Sequence, residues 1–211
     1  MVASERNEEA RAAWQEQARQ LDREQFVVVD ECGSTIALTP LYARAPKGKR
    51  AVGAVPRNYG KNTTVIASLT LSGMGEALML EGAADTIAFE CSIEQVLAPS
   101  LKKGQIVVMD NSSIHQSTRA RQAIEAKGCS LLFLPAYSPD LSPIEGAFSK
   151  LKAALRRAEA RTQEALWEAI AHAMETITAQ DARGWFTHCG YLPLEEQVTF
   201  TEEQLFTTQA F

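Results

Sequence analysis

Apolar residues along this chain follow two rhythms. At Ala10, Trp14, Ala18 and Leu21 they step by 4, 4 and 3, the spacing of a helix with one buried stripe, so residues 7–21 are predicted to form a packing helix. FVVVD, Phe26 to Asp30, is instead a short unbroken run rich in valine, which predicts a central strand covered on both faces. Residues 64–71 and 76–81 are strand-like runs joined by the glycine-containing turn SGMG, a predicted hairpin. A helix over 84–97 ends near Pro99. It is followed by a strand over 105–110, a helix over 117–127 stopped by Gly128, and a strand over 130–134. A hairpin-rich half joined to a βαβ half predicts an α/β fold, a mixed five-stranded sheet with helices on its faces.

The next helix carries Ile144, Ala147, Phe148, Leu151, Ala154 and Leu155 as one apolar stripe, while Glu145, Ser149, Lys152 and Arg156 share another face. A last helix begins with Thr162 as its N-cap and turns Leu166, Ala169, Ile170, Ala173 and Ile177 inward. Residues 35–60 mix prolines and glycines with Arg44, Lys47, Lys49, Arg50 and Arg57, which predicts irregular connections around short strands. Beyond Gly190 the acidic tail LPLEEQVTFTEEQLF has no clear pattern. The expected organisation is therefore a packing helix and linker over 1–25, a core over 26–161, and a helix with an acidic tail over 162–211.

At 211 residues, with 45% hydrophobic and 22% charged content, the chain suits a soluble globular protein. Its start has charges where a signal peptide needs an apolar run, and no segment approaches the length of a membrane span, so a cytoplasmic location is expected. Cys32, Cys91, Cys129 and Cys189 are widely spaced, which argues for reduced thiols and against a zinc site or disulfide framework. His188 beside Cys189 lacks the second pair a metal site needs. Trp14, Trp167 and Trp185 are expected as core anchors. The net charge of −5 is unevenly spread: residues 1–25 carry −2, residues 26–161 carry +4 and residues 162–211 carry −7. The middle of the chain is the part that attracts anions.

Two apolar strands end in acids, at Asp30 and Asp110, and 34 residues separate Asp110 from Glu145 in the first turn of a predicted helix. Carboxylates from two strand ends and a helix start can converge on divalent metal, a site suited to phosphodiester chemistry. Each has a simpler explanation. Asp30 and Asp110 can merely end strands as turn formers. Ser142-x-x-Glu145 with Pro143 between is a capping-box pattern, and by pattern alone capping is the favoured role. Asp140 is the rival third ligand, although its place before two prolines favours an Asx-type turn. Glu31 is expected on the opposite face of the strand from Asp30.

The segments VVMDNSSIH, from Val107 to His115, and LPAYSPDLSPIEGAFSKLK, from Leu134 to Lys152, resemble the DDE transposases of bacterial insertion sequences, specifically the IS-six-thirty branch of the mariner superfamily. The resemblance runs from about Phe26 to Arg157. It departs at Ser142, where that family often has Asn, and at Ala147 and Phe148, where it has an aromatic, often Trp. It implies an RNase H-like fold and a catalytic, metal-holding triad of Asp30, Asp110 and Glu145 with two Mg²⁺ or Mn²⁺ ions. The match of all three acids in order and spacing outweighs the capping explanation. His115 matches a recurrent family histidine, to sit near the scissile phosphate or to order its loop, with a packed or surface histidine as the alternative.

The implied activity is cut-and-paste transposition: water nicks the transposon ends, and the freed 3′-hydroxyl attacks target DNA, often at a TA dinucleotide. DNA is thus the expected partner, at the nucleoid, with Lys47, Lys49, Arg50, Arg57, His115, Lys152 and Arg156 as candidate contacts; for the basic loop, a merely solvated role is the alternative. The family's helix-turn-helix region has no counterpart in the residues before Asp30, so a separate or fused DNA-reading product is expected, and a homodimer on DNA. The alternatives are a non-catalytic DNA-binding or regulatory remnant, and a metal-dependent phosphatase or nuclease on a related sheet.

Overall fold

The computed structural model describes residues 4–193. Helix α1 (Glu8–Arg19) is capped by the Asn7 side chain, which accepts the Ala10 N–H, and buries Trp14 and Ala18 of the predicted stripe, while Ala10 is exposed. The five expected strands form: β1 (Phe26–Ser34), β2 (Thr63–Thr70), β3 (Gly73–Glu81), β4 (Ile106–Met109) and β5 (Ser130–Phe133). They make one sheet in the order β3-β2-β1-β4-β5. The hairpin partners are antiparallel, while β1, β4 and β5 run parallel. The apolar FVVV run is therefore central and covered on both faces, as a valine-rich run demands.

Alternation along β1 divides the interior. Val27 and Val29 face a layer with Phe89, Ile93, Leu97, Ala120 and Ile124. That layer comes from α2 (Thr86–Cys91), a π-helical stretch (Ser92–Leu97), the short turn α3 (Ala98–Ser100) and α4 (Thr118–Glu125). Val28 and Cys32 face the other layer, with Ile144, Leu151, Leu155, Leu166, Ile170 and Phe186. Its helices are α1, α5 (Pro143–Ala158), α6 (Gln163–Glu175) and α7 (Ala179–His188).

Three expectations are corrected. The connection over 35–62 contains no strand, only turns and extended chain. Its prolines remove ladder donors, and beyond Ile36 and Leu38 its apolar residues Leu41, Tyr42, Val52, Val55 and Tyr59 stay exposed instead of packing on the sheet. Helix α7 was not expected, because its only large apolar residues are Trp185 and Phe186. It starts at a complete capping box in which the Thr178 hydroxyl accepts the Asp181 N–H and the Asp181 carboxylate accepts the Thr178 N–H. Of the three tryptophans, Trp14 is a core anchor, but Trp167 is 39% exposed and donates to the Thr63 hydroxyl.

Helix α7 buttresses the start of α5. The Trp185 ring lies against Gly146, where an added Cβ would come within 2.5 Å of the ring, so only glycine permits this approach. Lys150 Nζ donates to Asp181 at 2.6 Å. The Lys150 ammonium and the Thr178 N–H hold the Asp181 carboxyl down to about 2. A carboxyl depressed on folding adds stability above its unfolded pKa, near 4, and loses it as pH falls through the folded value. The melting-temperature difference between wild type and Asp181→Asn should thus be full at pH 5 and shrink towards pH 2, which a pH series of thermal melts would check.

Candidate active site

Asp30 and Asp110 are brought together by strand register. In the parallel β1–β4 pair Phe26 opposes Ile106 and Val28 opposes Val108. Continued two residues further, the same register sets Asp30 beside Asp110 at the carboxyl ends of adjacent strands, where α/β sheets place ligand sites. The chain then leaves β5 through LPAYSPD and enters α5, whose first turn carries Glu145. Asp30, Asp110 and Glu145 line one cleft of about 350 Å³, with Asn111, Ser112, Tyr137 and Ser142. Tyr137 sits at positive φ (56°) and is 58% exposed, a strained conformation of the kind that concentrates at functional sites.

The capping box suggested by Ser142-x-x-Glu145 does not form: Ser142 is the N-cap residue but makes no side-chain cap bond. Asp140 is neither a cleft ligand nor an Asx turn. Its carboxylate takes both Nη atoms of the buried Arg11 in α1, at 3.0 and 2.6 Å, and the cleft excludes it. Asp140→Asn should leave Mn²⁺ binding intact yet cost about 1–3 kcal/mol, because Arg11 keeps a buried charge with its main partner gone. Metal titration and denaturant melts of the one variant would check both halves.

The cleft is electrostatically loaded. Burial, helped by the neighbouring Glu31 and Asp110 charges, pushes the Asp30 carboxyl up to about 7, although the Glu31 N–H bonds to it at 2.8 Å. Asp110 accepts the Ser112 N–H at 2.9 Å. Its burial is outweighed by the His115 and Ser112 hydrogen bonds, which hold its pKa below the usual carboxylate range. Burial also pushes up the Cys32 thiol, two residues beyond Asp30, which feels Lys152, Glu145 and Asp30 together. An oxygen-only donor set around a crowded buried acid fits a hard divalent cation.

His115 is fully buried, which gives it no surface for DNA and corrects its place among the DNA contacts. Its Nδ1 is 2.5 Å from Asp110 Oδ1 and its Nε2 is 2.8 Å from Glu31 Oε2. Burial lowers the pKa of an imidazole, but here the two carboxylates prevail and raise it to about 10. Glu31, next to Asp30 on β1, extends its carboxylate to this histidine. Among the described residues, Asp30, Glu31 and His115 form a cluster with ligand atoms within 4.8 Å of one another. Lys47, Lys49, Arg50 and Arg57 are exposed on the 35–62 connection, and Lys152 and Arg156 are half-buried on successive turns of α5 beyond Glu145. The sequence signal for Glu31 was its adjacency to Asp30; for Tyr137, Asn111 and Ser112 it was membership of the two motifs.

A mixed five-stranded sheet in the order β3-β2-β1-β4-β5, with helices on both faces and acids from two strand ends and a helix start lining one cleft, is an RNase H-like arrangement. The model of the DDE superfamily endonuclease family matches residues 25–167, and the chain belongs to that family. It is 25% identical over 190 residues to the Transposable element Tc1 transposase of Caenorhabditis elegans, covering 82% of this chain and 68% of that protein. In structure it is similar to the Mos1 mariner paired end complex with Mn (TM-score 0.70, 18% identity, 94% of this chain, 64% of that chain). It is also similar to the catalytic domain of Mos1 mariner transposase (TM-score 0.62, 16% identity, 94% of this chain, 97% of that one). These likenesses establish the fold. Among the described residues, no helix is long and apolar enough to cross a membrane.

Proposed function

We propose that this chain is the catalytic core of a DNA transposase of the IS-six-thirty branch, with residues 26–161 as the catalytic unit and Asp30, Asp110 and Glu145 as holders of two Mg²⁺ or Mn²⁺ ions. The observation that carries this reading is the shared cleft of these acids, two fixed by neighbouring strands and one by a helix start. Held by these acids, two divalent ions would supply Lewis-acid chemistry to the attacking water or 3′-hydroxyl and to the leaving oxygen. The protein's own part is to fix the carboxylates and, through its cations, to hold the phosphodiester against the cleft.

Lys152 and Arg156, beyond Glu145 on α5, and Lys47, Lys49, Arg50 and Arg57 on the acid-free 35–62 connection are the proposed phosphate contacts, which give affinity without sequence information. Recognition of transposon ends is assigned to a helix-turn-helix region carried separately or fused, and synapsis of two ends to a dimer. The setting is the nucleoid. Three acids gathered in one cleft speak against a non-catalytic remnant. The test is nicking of duplex DNA: the wild-type chain should nick with Mn²⁺ and not with EDTA, and Asp110→Asn should fall to background. Nicking by Asp110→Asn at the wild-type rate would remove the reading.

A further inference from the structure

We infer that Glu31 is a positioning residue for the metal-holding acids, acting through His115 on Asp110. The inference rests on the metal reading of the cleft proposed above, and it adds a fourth acid with a different task.

The observations are geometric. Glu31 and Asp30 are neighbours on β1, and a carboxylate oxygen of each lies within 4.8 Å of the other and of a His115 nitrogen. His115, from the loop after β4, links Glu31 to Asp110. Its Nε2 meets Glu31 Oε2 at 2.8 Å, its Nδ1 meets Asp110 Oδ1 at 2.5 Å, and the Asp110 carbonyl lies 3.3 Å from the same Nδ1. Both ring nitrogens therefore face carboxylate oxygens, which only accept, so both must donate. The ring is fully buried, with Phe89 packed at a centroid distance of 4.6 Å. It cannot rotate away without burying unpaired polar atoms.

Asp110 stands just past the last residue of β4, and its side chain is 50% exposed. A carboxylate in that position samples several rotamers unless something binds it. The ring and the Ser112 N–H both engage Oδ1, which leaves Oδ2 for a cation. Partners behind a metal-holding residue typically change metal affinity by about 10–100-fold when removed. Glu31 supplies the other end of the link, without which the ring would be fixed by Asp110 alone.

The test is an EPR titration of the full chain with MnCl₂, paired with nitrogen-edited proton spectra of the His115 ring. Wild type should bind Mn²⁺ and show both ring N–H protons of His115, protected by burial and bonding, and Asp30→Asn should lose the ion. Glu31→Ala should weaken Mn²⁺ binding about 10-fold, the low end of what loss of a direct partner costs, and lose the Nε2–H signal. Glu31→Gln, whose amide oxygen still accepts from Nε2, should fall between the two, which a general loss of folding would not produce. Glu31→Ala with wild-type Mn²⁺ affinity overturns the inference and leaves the metal reading standing. Weakened binding with both ring protons unchanged also overturns it, and makes Glu31 a direct ligand. A wild-type chain that binds no Mn²⁺, or an Asp30→Asn chain that binds it normally, removes the metal reading and this inference with it.

Discussion

Glu145→Gln should abolish metal-dependent strand cleavage while leaving the protein folded. The substitution keeps the length of the side chain and a carbonyl oxygen, and removes the charge that a hard divalent ion draws from its ligands. Two stabilising roles could have confounded the test. The first, a capping box, is absent, since Ser142 makes no side-chain cap bond. The second is the favourable placement of an acid in the first turn of α5, worth about 0.3–1 kcal/mol. Melting should therefore change by no more than about 1 kcal/mol as cleavage falls to background. A variant that melts normally and cuts at the wild-type rate would take Glu145 out of the site.

Phe186→Ala should have the largest effect on stability, a loss of about 3–5 kcal/mol measured by denaturant unfolding. Phe186 is fully buried on α7, with the Tyr191 ring at 5.7 Å. Tyr191 in turn makes edge contacts with Trp14 and Phe26 and donates its hydroxyl to the Leu141 carbonyl at 2.6 Å. That carbonyl belongs to the turn that leads into α5, so the same cluster that stabilises the fold also seats the helix start bearing Glu145. A loss below 1 kcal/mol would mean that α7 is dispensable packing.

The five strands were legible because each is an apolar run of strand length bounded by turn residues, and the order of hairpin and βαβ halves left a mixed sheet as the natural arrangement. The two strand-end acids were legible for the same reason, as the first charges to follow FVVV and IVVM. What escaped the sequence depended on partners far along the chain. Asp140 looked like a turn residue, and its bond to Arg11 spans 129 positions. Glu31 was read as pointing to the opposite face of the strand from Asp30, and its bond to His115 spans 84. The extension of β1 through DECGS to Ser34 could not be read from hydropathy, since pairing with β2, ending at Ser34 opposite Thr63, sustains it. At Ser142 local pattern favoured a cap, but the residue stands at φ −106°, ψ 103° without closing the side-chain bond.

Asp30, Asp110 and Glu145 should together hold the ions of the reaction. Anomalous diffraction from crystals grown with Mn²⁺ tests this most directly. Two manganese peaks about 3.5–4 Å apart are expected in the cleft, with carboxylate oxygens of all three acids among their ligands. A single peak held by Asp30, Glu31 and His115, with Glu145 turned away, would contradict it.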